Sequence, residues 1–293
     1  MANVISPDLV KTAIADSVEF EAQKKLSMLP MFCRDFKDLA VSQQQCALGG
    51  VVIPFASGLP TARENPTSFG EDSTVKIDPI KVTMGYINVE AKLDLADVNK
   101  TGISIDQFAG NLAYAFTAKC ISKIVALLTT TNFTKALDYD SAAYDTDDKR
   151  TGLINTLYGA LTKGSRKYLL GNSSLFANFI AKKQYDYDAI KNPAVCGFDG
   201  VYECNDFGED VAGILTDGRG IAISNRLLDW GPDGNAALNP KAVVDSVTGL
   251  NYQICSWYDT KSRATWYSID AAFGCAVMDK AATKIIGVAA GGE

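Results

Sequence analysis

The stretch NYQICSWYDTKSRATWYSIDAAFGCAVMD, residues 251–279, decides how the rest of the chain is read. Two runs rich in aromatic and β-branched residues flank the polar Asp259-Thr260-Lys261-Ser262-Arg263. Along the second run Tyr267, Ile269, Ala271, Phe273, Cys275 and Val277 alternate with the residues between them. Period-two alternation around a polar turn predicts a β-hairpin.

Outward from the hairpin, KIIGV (284–288) is expected as a last short strand, and WGPDGNAALNP (230–240) as a loop from its Gly and Pro content. Further upstream the elements are short and mixed. Strands are expected around 201–204, 211–215 and 220–224 and over KYLLGN (167–172). Helices are expected over about 148–162, with Leu153, Ile154, Leu157 and Leu161, and over SLFANFIAKK (174–183), capped by Asn172 or Ser173. This run of elements describes an α+β protein. No internal repeat or low-complexity tract interrupts it.

Ser104-Ile105-Asp106-Gln107 matches a capping box, with Asp106 placed to complement the helix dipole. Behind it Ile105, Phe108, Leu112, Phe116, Cys120, Ile124, Leu127 and Leu128 form one stripe, predicting a helix to about Thr130. About 27 residues of helix make a rod of roughly 40 Å. From 51 to 97 the pattern is extended. VVIPF (51–55) leads into the irregular SGLPTARENPTSFGEDS, and a return begins at Val75 and Ile77. It continues through Ile87, Val89, Ala91, Leu93 and Leu95, alternating with polar residues. A two-stranded excursion of this kind is only marginally stable alone and needs a partner surface. At the other end Ser6-Pro7 opens a helix to about Lys25, with Val10, Ile14, Val18 and Phe20 at roughly helical spacing. The following LSMLPMFCRDF (26–36) is expected as an extended arm.

Composition narrows the chemistry. The chain has 293 residues, 47% hydrophobic and 21% charged, an ordinary globular balance, with a net charge of −6 that disfavours gripping nucleic acid. The densest basic cluster, Lys163, Arg166 and Lys167, reads as a solvated loop. There is no histidine, which removes Ser-His-Asp and Cys-His mechanisms. The seven cysteines (Cys33, Cys46, Cys120, Cys196, Cys204, Cys255, Cys275) form no C-x-x-C pair and read as buried thiols of a reducing cytosol. The N-terminal segment lacks a signal-peptide pattern and no stretch reaches the ~18 apolar residues of a membrane span, so a cytoplasmic setting is expected. Two glycosylation sequons, at Asn132 and Asn172, are chance matches in that setting.

No phosphate-loop, nucleophile-elbow or zinc-protease motif occurs, and TDGRGIA (216–222) reads as a turn between strands. The acidic run DYDSAAYDTDDK, with Asp138, Asp140, Asp145, Asp147 and Asp148, lacks the Gly and Glu of a calcium loop and suits the approach to a helix N-terminus. Carboxylate neighbours such as Glu203 with Asp206, or Glu209 with Asp210, carry no information at this composition. No catalytic, cofactor-binding or metal-ligating residue is assigned.

The order of parts resembles the major capsid proteins of tailed bacteriophages, the Hong Kong 97-like shell fold: an arm, a long two-stranded loop, a long helix, a central α+β region and a closing hairpin. SWYDTKSRATWYSIDAAFGCAVMD looks like that family's closing segment, and IAISNRLLDW (221–230) resembles a strand of its central domain. The resemblance implies an N-terminal arm at 1–50 and an E-loop at 51–97. It places a peripheral (P) domain at 98–145, with the spine helix at about 104–130, an axial (A) domain at 146–249, and the P-domain hairpin and last strand at 250–293. The hairpin is then expected along the spine helix, and the E-loop on a neighbouring subunit.

The function so implied is structural, with no enzyme activity and no cofactor. The chain is expected to assemble with itself as hexamers and pentamers of an icosahedral shell that encloses double-stranded DNA without sequence-specific binding. The virion would be assembled in a host cytoplasm. Portal and scaffolding proteins are the other implied partners, with a decoration protein as a further one and no membrane. Some relatives carry a scaffolding segment ahead of the arm; this chain has no room for one, so a processed form or a separate scaffold is expected. Some relatives also cross-link a Lys of the E-loop to an Asn of the P-domain. Lys76 and Lys81 fall in the expected loop, but neither matches that arrangement and no cross-link is assigned. Alternative readings are an encapsulin-type nanocompartment, another virion structural protein forming tubes or rings, and a carboxylate-based enzyme with two acids about 5–10 Å apart across a cleft.

Overall fold

The computed structural model describes residues 6–25, 33–35, 51–57, 76–93, 104–161, 166–179, 197–245 and 249–289. In chain order the elements are helix α1 (Pro7–Lys25), strands β1 (Cys33–Asp35), β2 (Val51–Ser57), β3 (Lys76–Val82) and β4 (Gly85–Leu93), and helix α2 (Ile105–Val125). Strand β5 (Thr134–Tyr139), helix α3 (Asp147–Ala160), strand β6 (Tyr168–Gly171) and the single turn α4 (Ser173–Phe176) follow. Strands β7 (Gly200–Glu203), β8 (Val211–Thr216) and β9 (Ile221–Arg226), helix α5 (Gly231–Leu238), and strands β10 (Lys241–Val244), β11 (Asn251–Asp259), β12 (Ala264–Val277) and β13 (Thr283–Val288) complete the chain.

The hairpin is β11 and β12, paired antiparallel from Gln253 opposite Asp270 to Asp259 opposite Ala264. Strand β12 organises a six-stranded sheet. Antiparallel β4 lies along it from Leu93 opposite Thr265 to Gly85 opposite Phe273, and antiparallel β9 pairs with Ala272 to Val277. Ala272 and Phe273 pair with both β4 and β9, so these two strands occupy opposite edges, and β11 and β9 follow one another along the same edge. The end of β9 meets the start of β11 where the Asn251 N–H donates to Asn225 Oδ1. Strand β10 extends the sheet beyond β11, and parallel β1 beyond β9.

Helices α1 and α2 cover one face of this sheet. Ser104 accepts a hydrogen bond from the Gln107 amide (3.1 Å), as the capping box predicts, and starts α2. Ala109, Leu112, Ala113, Phe116, Cys120, Ile121 and Ile124 turn inward, and Phe116 packs on Tyr252 of β11 with ring centroids 5.6 Å apart. The helix spans 21 residues, about 31 Å, and stops short of the predicted Thr130. Thr129, Thr130 and Thr131 are β-branched, and Asn132 Nδ2 donates to Leu127 O (2.9 Å), closing a turn there instead.

Helix α1 begins at Pro7 as expected, and Val10, Ile14, Val18 and Ala22 share the same core. Phe20, expected on that stripe, is 65% exposed: a strict four-residue step from Val18 reaches Ala22 and leaves Phe20 on another side.

The second sheet has the order β5-β13-β8-β6-β7, with β13 parallel to β5 and antiparallel to β8. Strand β8 is buried along its whole length. Its Ile214 belongs to the α1–α2 core, whereas Ala212 and Leu215 join Leu153 and Leu157 of α3, Leu161 just beyond it, and Tyr139 and Ile286 in a second cluster. One strand thus serves both cores.

Several expectations change. The return strand of the excursion breaks at Thr83–Met84. Only β2 and β3 pair with each other, Val51 opposite Val82 to Ser57 opposite Lys76, while β4 joins β12. Its alternation holds, with Ile87 and Leu93 buried and Asn88, Glu90 and Lys92 exposed. The expected loop at 230–240 contains α5, with Pro232 in its first turn and Asn239 ending it in the left-handed region (φ 44°). The expected helix at 174–183 is the single turn α4 followed by a 3₁₀ turn, Ala177–Phe179, with its continuation outside the described residues. Strands β5 and β10 lack the alternation that would have announced them, and both faces of β12 are buried over most of its length.

Candidate assembly surfaces

The second face of β12 is closed by polar contacts. Ser268 and Asp270 point away from the helices, yet each is 2% exposed. The Asp270 carboxylate accepts from Tyr86 Oη, Asn88 Nδ2 (2.7 Å) and Ser268 Oγ. Tyr86 meets Trp230 edge to face (centroids 5.7 Å), and this aromatic pair adjoins the carboxylate. Burial, with the Asp270 charge beside it, holds the Tyr86 phenol protonated well above its usual range. A carboxylate held by three donors beside this aromatic pair is a structural joint between β4 and β12. Nothing local in the sequence records that Tyr86, 184 residues away from Asp270, bonds its carboxylate.

Lys11 is the matching case on α1. It is 2% exposed, and its Nζ donates to Asn239 O (2.6 Å), the left-handed residue that ends α5. Burial lowers its pKa from the ordinary lysine value. The ammonium thereby ties α1 to a helix C-terminus, where the peptide dipoles favour a cation.

At the far end of the hairpin the turn is rigid. Asp259 accepts from the Lys261 N–H (3.0 Å), the Ser262 N–H (3.2 Å) and Ser262 Oγ (2.7 Å), and these bonds lower its pKa. Arg263 takes the left-handed conformation (φ 54°) that closes the turn. Trp257 and Trp266 stack across the strands at 6.2 Å, and Tyr258 stands exposed beside them.

The other residues singled out in the sequence are dispersed. Asp138 pairs with Lys135 (2.7 Å), Asp140 caps the 3₁₀ turn Ser141–Ala143, Asp145 pairs with Lys149 (2.9 Å), and Asp147 and Asp148 occupy the first turn of α3. Among the described residues no group of acids and cysteines is arranged to hold a metal ion. Glu203 accepts from Ser173 Oγ and Asn205 Nδ2 (3.0 Å), which lower its pKa. Asp217 and Arg219 pair within the predicted turn. Lys167 lies 3.6 Å from the Tyr158 ring centroid and donates to Tyr158 O, apart from exposed Arg166; Lys163 is outside the described residues. In β3, Lys76 pairs opposite Ser57 and Lys81 opposite Val52.

Cys120, Cys204, Cys255 and Cys275 are in no disulfide; the side chains of Cys33, Cys46 and Cys196 are outside the described set. Burial pushes the Cys120 and Cys255 thiols up to about 12 and Cys275 up to about 11, so the reactive thiolate is scarce at neutral pH. Iodoacetamide at pH 8 is accordingly expected to leave Cys120 and Cys255 unmodified in the native protein and to label both in the unfolded chain. Equal labelling of the two states in a peptide mass map would overturn this packing.

No protein-family model and no curated protein sequence matches the chain. Solved structures do. A virus-like particle from Pyrococcus furiosus is similar over 94% of this chain and 97% of its own, at TM-score 0.56 and 10% identity. The capsid of a native GTA particle is similar over 90% of each chain, at TM-score 0.53 and 15% identity. A structure from Mycobacterium phage Che8 is similar over 85% of this chain and 89% of its own, at TM-score 0.52 and 12% identity. At these identities the likeness is one of fold, and it runs nearly end to end. The chain has the α+β Hong Kong 97-like shell fold of phage capsid structures.

Proposed function

We propose that the chain is a major capsid protein that self-assembles into the icosahedral head shell around phage double-stranded DNA. The observation that carries this reading is the end-to-end likeness to shell subunits, 94% of this chain against 97% of the Pyrococcus furiosus particle chain. The two-stranded β2–β3 ladder supports it. Among the described residues no third strand joins that ladder, and two strands alone are marginal in water. A neighbouring subunit is the natural surface for such an excursion, and contacts of that kind close into a container under point symmetry. In this reading residues 1–50 are the arm, 51–97 the E-loop, 98–145 and 250–293 the P-domain and 146–249 the A-domain. Strand β4 belongs to the six-stranded sheet, and β5 and β13 to the sheet of β6–β8. The role is structural, without catalysis; hexamers and pentamers would be joined by portal and scaffolding proteins, assembly taking place in a host cytoplasm. A net charge of −6 suits a wall along which packaged DNA slides.

The test is size-exclusion chromatography with light scattering on the expressed protein, followed by electron microscopy of the void fraction, with a scaffolding protein supplied if the chain elutes alone. Closed, uniform particles are expected. A 31.4 kDa monomer under both conditions would overturn the proposal. Packaged DNA distinguishes a phage head from a nanocompartment holding a cargo enzyme. Phe69 lies in the expected loop tip, outside the described residues; Phe69→Asp is expected to leave the melting temperature within about 2 °C of the parent and to reduce particle yield severalfold. Undiminished yield would remove the loop tip from the assembly contacts.

A further inference from the structure

Helix α1 carries two apolar lines: the fold buries one completely, and of the other only Ala13 packs in part against the core. Val10, Ile14, Val18 and Ala22 enter the core, while Leu9, Ala13 and Phe20, at steps of four and seven residues, lie along a second side. Leu9 is 57% and Phe20 65% exposed, although both are large and apolar. With Asp106 and Gly110 of α2 they line a groove of about 580 Å³. A second hollow, lined by Gln107, Phe108, Gly110 and Asn111, continues it along α2. Tyr114, one turn beyond Gly110, is exposed as well. The charged residues lining the groove are Asp16, Glu21 and Asp106, all acidic. Among the described residues Lys241 reaches the groove from outside, and its Nζ is engaged, donating to Thr12 Oγ1 (3.1 Å). An apolar floor with an acidic rim is complementary to a helix bearing apolar residues at i, i+3 or i+4 and i+7, flanked by Lys and Arg.

We infer that the α1–α2 groove is a docking site for a cationic amphipathic helix of a separate protein. Leu9, Ala13 and Phe20 receive its apolar residues, and Asp16, Glu21 and Asp106 receive its basic flanks. A second copy docked two-fold, groove to groove, fits less well, because like-charged rims would face one another across the contact.

The probe is a fluorescein-labelled peptide of about 15 residues with Leu at helical spacing and Lys elsewhere. Its two controls are the same peptide with Glu in place of Lys, and a scrambled Leu/Lys sequence. Fluorescence anisotropy with the full-length protein is expected to show saturable, salt-sensitive binding of the basic helix alone. Phe20→Asp, and separately the double change Asp16→Lys, Glu21→Lys, are each expected to weaken it about tenfold or more, with melting temperatures near the parent's. Absence of binding, equal binding of the scrambled peptide, or unchanged affinity in both variants would overturn the inference. So would a Phe20→Asp protein that changes oligomeric state while binding the peptide normally, which would make the groove a contact between copies. Light scattering on the same samples keeps the two readings apart: particles without peptide binding sink the groove alone, and peptide binding without particles sinks the shell alone.

Discussion

Leu112→Asp is expected to leave no soluble folded protein. Leu112 is 3% exposed and sits on the inward side of α2, in the cluster that includes Phe116, Tyr252 and Ile269. Truncating a buried leucine costs about 2–5 kcal/mol, and an unpaired buried carboxylate adds several more. Together these match the whole stability of an ordinary domain, about 5–15 kcal/mol. Leu112→Met keeps the volume and the apolar character and is expected to cost less than about 1.5 kcal/mol. Soluble yield, circular dichroism and chemical denaturation of the pair check this. Folded Leu112→Asp protein with the parent's thermal stability would remove α2 from the core.

Gly274→Val is expected to be the next most damaging single change. Gly274 lies in β12 opposite Ser224 of β9, just beyond the stretch paired with β4. A Cβ there would overlap the Thr83 carbonyl oxygen and touch Val82 Cγ1 at 3.0 Å. Backbone on one side and a paired strand on the other leave no soft neighbour to yield. Overpacking of this kind costs about 1–3 kcal/mol when side chains can move and more when main chain must. A loss of about 3 kcal/mol or more in the denaturation free energy is therefore expected. Gly152→Ala in α3, where an added Cβ meets nothing within 4 Å, is the control and is expected to gain about 0.5–1 kcal/mol. Equal stability of the two variants would mean that the β3–β4 joint does not lie against β12.

What the sequence made legible was local. The Ser6-Pro7 and Ser104 helix starts, the hairpin turn and the alternation in β4 all carry their cause within a few residues, and all are where they were expected. What it hid depended on distant partners. Ser268 and Asp270 are buried because Tyr86 and Asn88 meet them from another part of the chain, and Lys11 is buried because Asn239 offers a carbonyl. The α5 helix was hidden for another reason: Gly, Pro and Asn make it a weak helix by propensity, and its two marks, Pro232 and Asn239, are also what loops contain. Phe20 was placed on the inward stripe by its roughly helical spacing; its exposure, together with that of Leu9, is what opens the groove.

The position of β12 and β13 in the chain also sets an order of events during synthesis. Without β12 the larger sheet falls into separate pieces, β4, β1 with β9, and β10 with β11, because β12 is the strand they share. Without β13, strand β5 has no route into the smaller sheet. A nascent subunit therefore cannot complete either sheet until residues 264–288 have left the ribosome, and such late, distant pairings fold slowly. For the shell subunit proposed above, this would act as a quality gate: a truncated or half-translated chain has no finished surface with which to enter a growing particle.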